Sequence, residues 1–213
     1  MSWKEIGKAV NDTFARKCRK RALNRIVEDE AYEVIYGCAV NDSLGQSTKH
    51  LIIPKGVHEI QEERYADVSY ESLVLPNSVK VIGAGAFHDS DLRVAILPPS
   101  IEYIGNDAFN GCTRLMYVTL PKHLKTIGAA AFKGIIMTGI EIPETVETIG
   151  IGAFTNTSLV TVMFRGTPTN IGTAAFQTMT LKDIYVPWAE GAVPGAPWGA
   201  SNATIHYESE ACT

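Results

Sequence analysis

From His50 onward the apolar positions of the chain fall into columns that return about every 22 residues. The cleanest unit runs from Leu97 to Phe109, Leu-Pro-Pro-Ser-Ile-Glu-Tyr-Ile-Gly-Asn-Asp-Ala-Phe. It returns from Leu75 to Phe87, from Leu120 to Phe132 and from Ile142 to Phe154. Weaker copies run from Ile53 to Tyr65, with Gln61 in place of Gly, and from Phe164 to Phe176, with Arg165 in place of Pro. A seventh copy starts at Val186-Pro187 and is cut short. The aromatic ends Tyr65, Phe87, Phe109, Phe132, Phe154 and Phe176 are 22, 22, 23, 22 and 22 residues apart. Six copies at so strict a period predict a solenoid.

Two columns stand three residues and one residue before the Pro position, and both are apolar in every copy. The first is Leu51, Leu73, Ala95, Val118, Ile140, Val162 and Ile184; the second is Ile53, Leu75, Leu97, Leu120, Ile142, Phe164 and Val186. Because they alternate, they share one face of a short strand. The Pro ends that strand, since it has no N–H for a ladder. Further apolar columns follow it by three residues (Val57 to Pro168) and by six (Ile60, Ile82, Ile104, Ile127, Ile149, Ile171). The Gly after this Ile fits a positive φ or a close approach of backbone. One strand per coil is expected, stacked in parallel about 4.8 Å apart, so that seven strands give a rod roughly 30 Å long. The aromatic column is expected as its internal spine. No coil buries these faces alone, so each depends on its neighbours.

Three segments are expected: residues 1–49, the repeats over 50–187, and residues 188–213. In the first, Trp3, Ile6, Val10 and Phe14 stand three to four apart, the spacing of one helix face. Tyr32 to Val40 is compatible with a strand, and Asn41-Asp42-Ser43-Leu44-Gly45 with a turn. In the last segment, Trp188 and Trp198 within a Pro/Gly run predict a cap over the last coil. Thr204-Ile205-His206-Tyr207 alternates like a final strand.

Charge separates the first segment from the rest. Residues 1–26 hold eight Lys/Arg against Glu5 and Asp12, a net of +6 in a chain of net −4, which leaves −10 for the remainder. This basic stretch suits assembly or packing on an acidic surface; nucleic acid is not expected as a partner. No apolar run reaches the length of a membrane span. The start, with Lys4, Glu5 and Lys8, does not read as a secretory signal. Cys18, Cys38, Cys112 and Cys212 lack metal-ligand spacing and read as free thiols.

The pattern Leu-Pro-x-Ser-Val-x-x-Ile-Gly-x-x-Ala-Phe, with the link Gly111-Cys112-Thr113-Arg114-Leu115, resembles the BspA-type leucine-rich repeats of bacterial and protist surface proteins. The resemblance covers about residues 50–187. It implies an α/β repeat: a right-handed leucine-rich-repeat solenoid of short parallel strands with a small N-terminal helical element. It also implies adhesion or recognition, with no catalytic residues to carry over. The C-terminal segment, over about twenty residues, is similar to repeat proteins of phage and prophage tails in Firmicutes.

Catalytic chemistry finds no footing. His50, His58, His88, His123 and His206 stand at unlike positions of different coils, and no nucleophile and base recur together. Asp89-Ser90-Asp91 opens like a calcium loop but lacks the later ligands. Gly83-Ala84-Gly85 opens like a dinucleotide loop, but His88 stands where the third Gly belongs. No catalytic residue, metal or cofactor is expected.

The outward side of the strands is more informative. Two residues before the Pro position stand Ile52, Val74, Ile96, Thr119, Glu141, Met163 and Tyr185; four before it stand His50, Ser72, Val94, Tyr117, Gly139, Thr161 and Asp183. Five of the first seven are apolar or aromatic, where a water-facing column would be polar. Such a stripe predicts partner contact; β-branched preference for strands is the competing explanation. Ile96, Tyr117, Met163 and Tyr185 are the expected anchors. Trp3, Ile6, Val10 and Phe14 are expected to serve assembly. The leading expectation is a non-catalytic recognition protein, a phage tail or fibre component in the virion that binds a host-surface protein or glycan. Residues 1–49 would join it to other particle proteins or to its own copies as a homo-oligomer. The alternative is a bacterial surface adhesion or protein-interaction module.

Overall fold

The computed structural model describes residues 40–41, 47–48 and 50–207, with side chains from residue 51 onward. All lie in the second of two units, Ala39–Thr213; the first, Met1–Cys38, falls outside the described residues. The expected N-terminal helix, with Trp3, Ile6, Val10 and Phe14, therefore lies outside them too.

β1 (Val40–Asn41) and β2 (Ser47–Thr48) pair antiparallel, so the chain reverses between them, where the sequence reads as a turn. From His50 each coil supplies two strands rather than the one expected. The first four coils give β3 (His50–Ile52) and β4 (Glu59–Ile60), β5 (Ser72–Val74) and β6 (Val81–Ile82), β7 (Val94–Ile96) and β8 (Tyr103–Ile104), β9 (Tyr117–Thr119) and β10 (Thr126–Ile127). The next two give β11 (Gly139–Ile142) and β12 (Thr148–Ile149), β13 (Thr161–Phe164) and β14 (Asn170–Ile171). β15 (Asp183–Val186) and β16 (Thr204–Tyr207) follow. No helix occurs among the described residues.

The two-residue strands of the coils form one continuous parallel sheet of six, β4-β6-β8-β10-β12-β14. Its register sets Ile60, Ile82, Ile104, Ile127, Ile149 and Ile171 side by side, all buried. The longer strands, expected as one sheet, form two: β3-β5-β7-β9 and β11-β13-β15-β16. The one step of 23 residues is absorbed ahead of β9, between Phe109 and Tyr117, since β7 and β9 pair in register with Val94 beside Tyr117; the break falls one coil later, between β9 and β11.

Between the sheets runs the aromatic spine. Neighbouring rings from Tyr65 to Phe176 stack nearly parallel, with centroids 5.2–5.7 Å apart. Backbone bonds hold the rings in place. Phe87, Phe109, Phe132 and Phe154 each donate their N–H to the carbonyl of the Ala one coil further on, at 2.7–2.8 Å. At the Pro-x-Ser position, Ser100 Oγ donates to the Val79 carbonyl at 2.7 Å, and Thr145 does the same to Leu124. The Ser of the repeat is thus a staple between coils.

The repeated Gly serves close approach. A Cβ on Gly105, Gly128 or Gly150 would stand 2.3–2.6 Å from backbone of the preceding coil. Gln61 is tolerated in the first coil, below which no coil is described. The left-handed position falls two residues beyond the repeated Gly, where Glu63, Gly85, Asp107, Ala130, Gly152 and Ala174 all have φ between 51° and 62°.

The C-terminal segment continues the stack. Phe176 donates its N–H to the Trp198 carbonyl at 3.0 Å, so Trp198 stands where the next coil's Ala would. Phe164 meets Phe176, Trp188 and Trp198 edge-on or tilted at 5.1–6.2 Å. Both Trp are buried. Trp198 Nε1 donates to the Pro194 carbonyl at 2.9 Å, which satisfies its polar edge. The final strand expected at Thr204–Tyr207 is β16, parallel to β15.

Candidate functional site

The long strands put alternate side chains into the core and out of it. On β5, β7 and β9 the burial pattern is half-buried, buried, half-buried. Inward, Leu73, Ala95 and Val118 are buried. Outward, the register aligns Ile52, Val74, Ile96 and Thr119 in one row, and Ser72, Val94 and Tyr117 in a second. Ile52 is 40% exposed, and Val74, Val94, Ile96, Tyr117 and Thr119 are half-buried. This is a small apolar face at the start of the stack.

The second sheet presents different chemistry. Its rows are Glu141, Met163, Tyr185 and His206, beside Gly139, Thr161, Asp183 and Thr204. Arg165 clasps Glu141 in a bidentate pair, Nε to Oε1 at 2.8 Å and a terminal nitrogen to Oε2 at 3.1 Å. That bond raises the Arg165 pKa further, against the opposing effect of burial. The His206 ring lies on Tyr185 with centroids 4.5 Å apart, and its Nε2 is 2.8 Å from Asp183 Oδ1.

The four expected anchors therefore do not form one stripe. Ile96 and Tyr117 sit on adjacent strands of the first sheet. Met163 and Tyr185 are register partners in the second. Met163 is only 6% exposed and offers little surface. Two features escaped the sequence reading. His206 extends the outward row beyond the repeats. The Arg165–Glu141 clasp was signalled only by an Arg where Pro recurs, beside an acidic residue in the preceding coil's outward row.

Elsewhere the polar groups tie coil to coil. Glu102 lies between Lys125 and Lys80, at 3.4 and 3.5 Å. The hydrogen bond and charge of Lys125, then Lys80, hold its carboxyl below the usual range. Asp91 pairs with Arg114 rather than opening a cation loop. His58 and His123 bond carbonyls of neighbouring coils, Ser78 and Pro99. Among the described residues no three His, Cys, Asp or Glu stand close enough to hold a metal ion. Cys112 is a buried free thiol beside Ser90 Oγ at 3.2 Å. Burial pushes its pKa up to about 11. Such a thiol is inert at neutral pH.

The stacked coils, Ile ladder and single-residue aromatic column define a leucine-rich-repeat solenoid. The family model described as BspA type leucine rich repeat region matches residues 43–156 and 80–190, with six copies, and the chain belongs to that family. Three solved structures are similar to it. A leucine-rich repeat protein from Bacteroides ovatus is 23% identical over 74% of this chain and 48% of its own, with a TM-score of 0.48. The pneumococcal vaccine antigen PcpA is 20% identical over 68% of this chain and 47% of its own, with a TM-score of 0.54. A leucine rich cell surface protein from Faecalibacterium prausnitzii is 19% identical over 76% of this chain and 60% of its own, with a TM-score of 0.38. The chain thus spans about half the length of the first two. The likeness to PcpA bears on the fold alone. No curated protein matches the chain. The phage-particle expectation finds no support among these matches, and the family match favours the alternative, a BspA-type interaction module. No helix of the described residues is long and apolar enough to cross a membrane.

Proposed function

We propose that the protein is a non-catalytic recognition module of a bacterial surface, and that the outward face of its first long-strand sheet binds a protein partner. The observation that carries the reading is the register-aligned row Ile52, Val74 and Ile96, beside Val94 and Tyr117, on the side of the strands that faces away from the core. Membership in a repeat family that serves surface adhesion and protein interaction supports it. Ile52, Val74, Ile96 and Val94 make a β-branched apolar cluster beside Ser72, Tyr117 and Thr119, which suits a protein better than a glycan. Met163 and Tyr185 belong to the second, ionic cluster and would contribute only at the rim.

The labelled full chain, presented to a panel of purified extracellular proteins and to a glycan array, tests this. The expected result is saturable binding to a protein, weakened about tenfold or more by Ile96→Asp and by Tyr117→Ala, as for central anchors of an interface. Binding confined to glycans, or protein binding that neither substitution weakens, would overturn the assignment.

A further inference from the structure

Asn110-Gly111 is the only Asn-Gly pair in the sequence. It follows the spine ring Phe109 at a turn of the third coil. Asn is a labile residue, and most so before Gly, whose backbone nitrogen has no Cβ beside it to obstruct attack on the side-chain amide. The repeat does not ask for Asn here, because the equivalent positions hold Ala66, His88, Lys133 and Thr155. Gly111 is more constrained. Its φ is 74°, and a Cβ on it would fall 1.7 Å from Asp89 Oδ1.

The folded stack holds this pair shut. A backbone ladder joins the turns of successive coils: Asp67 N–H donates to the His88 carbonyl, Asp89 to Asn110, Gly111 to Lys133 and Gly134 to Thr155, at 2.8–3.0 Å. The Asn110–Gly111 peptide group therefore accepts from the coil before it and donates to the coil after it. Asn110 Nδ2 donates to Asp107 Oδ1 at 2.8 Å, and Asn110 N–H to the Asp107 carbonyl at 3.0 Å. The nitrogen that would attack is bonded to Lys133, and the amide it would attack is bonded to Asp107.

We propose that Asn110 is a self-modification site gated by the coil stack. When the third and fourth coils part, the Gly111 nitrogen attacks Asn110 Cγ. A C–N bond forms, the Cγ–Nδ2 bond breaks, and ammonia leaves with the Gly111 amide proton. Water then opens the cyclic imide at either carbonyl and leaves Asp or isoAsp. An isoAsp carries the chain through the former side chain and lengthens the backbone by a methylene, so the turn no longer meets both Asp89 and Lys133. An Asp sets a second carboxylate against Asp107 where a donor stood. Either product marks a chain whose central coils have opened, and weakens their reclosure. The site is independent of what the outward faces bind.

The test incubates the full chain at pH 8, folded and in denaturing urea, and follows the peptide that holds residue 110 by mass spectrometry for imide, Asp and isoAsp. Both acids are expected in urea. In the folded chain the reaction should be about tenfold or more slower, since it waits on local opening. Phe132→Ala removes the spine ring beside Lys133; it should speed the folded reaction and leave the rate in urea unchanged. A further comparison needs no variant: in the native chain, urea below the unfolding transition should raise the modification rate and the hydrogen exchange of the Gly111 amide together. Equal rates in folded and denatured chain, no modification in urea, or Asp without isoAsp would each overturn the proposal. So would a folded rate that Phe132→Ala leaves unchanged, or amide exchange that rises while modification does not.

Discussion

The same long strands have two sides that obey different rules. On the inner side, position by position, every coil repeats the last: Leu73, Ala95, Val118, Ile140 and Val162 are all apolar and all buried. On the outer side neighbouring coils disagree. Val74, Ile96 and Thr119 give way to Glu141, Met163 and Tyr185. Each inner residue packs against its own equivalents one coil away, so a change in one coil is felt by two others. An outer residue has no such obligation. The inner side is therefore where periodicity encodes the fold, and the outer side is where the chain is able to vary and to recognise.

The hardest blow to the inner side should be Phe109→Ala. Phe109 is fully buried and stacks on Phe87 and Phe132 at 5.2 and 5.3 Å. Its loss should cost about 3–5 kcal/mol and abolish cooperative melting of the central coils; an unchanged thermal melt would contradict the spine. Gly128→Ala comes next. Its Cβ would fall 2.4 Å from the Gly105 carbonyl carbon, and that neighbour is backbone, which cannot swing aside. About 1–3 kcal/mol should be lost in denaturant unfolding, the usual cost of overpacking.

Cys112 sharpens the comparison through pH. Its pKa is raised from 9.0 to about 11, so the fold holds the neutral thiol. That contribution is fully present below pH 9 and is lost as pH rises from 9 towards 11, on the order of 1–2 kcal/mol. Unfolding at pH 8 and pH 10.5 should show a shallower fall for Cys112→Ala than for the native chain. The smallest effect is a gain. Ala130 holds φ 51°, which Gly adopts without strain. Ala130→Gly should raise stability by about 1 kcal/mol, read as a higher denaturation midpoint with an unchanged slope.

Legibility in the sequence follows the same division. The Leu-Pro spacing, the Ile column and the aromatic spine were readable because each residue type is demanded by an identical neighbour. The short strands were not, since Val81–Ile82 or Thr126–Ile127 is too brief to show alternation. Nor was the split of the long-strand sheet, since Tyr117 of β9 and Gly139 of β11 stand 22 residues apart, the ordinary step of the repeat. Of the site, Ile96 and Tyr117 were placed on the correct side because strand alternation fixes direction. The burial of Met163 could not be read that way, for exposure depends on what neighbouring rows contribute.

The most direct measurement is equilibrium unfolding of two Ile→Ala variants of a single coil. Ile104 is fully buried on β8, and Ile96 is half-buried on β7, eight residues earlier. The atoms removed are the same; only the side of the coil differs. Ile104→Ala should cost about 2–5 kcal/mol, and Ile96→Ala less than about 1 kcal/mol. Equal losses, or a larger loss at Ile96, would contradict the division of labour between the two sides.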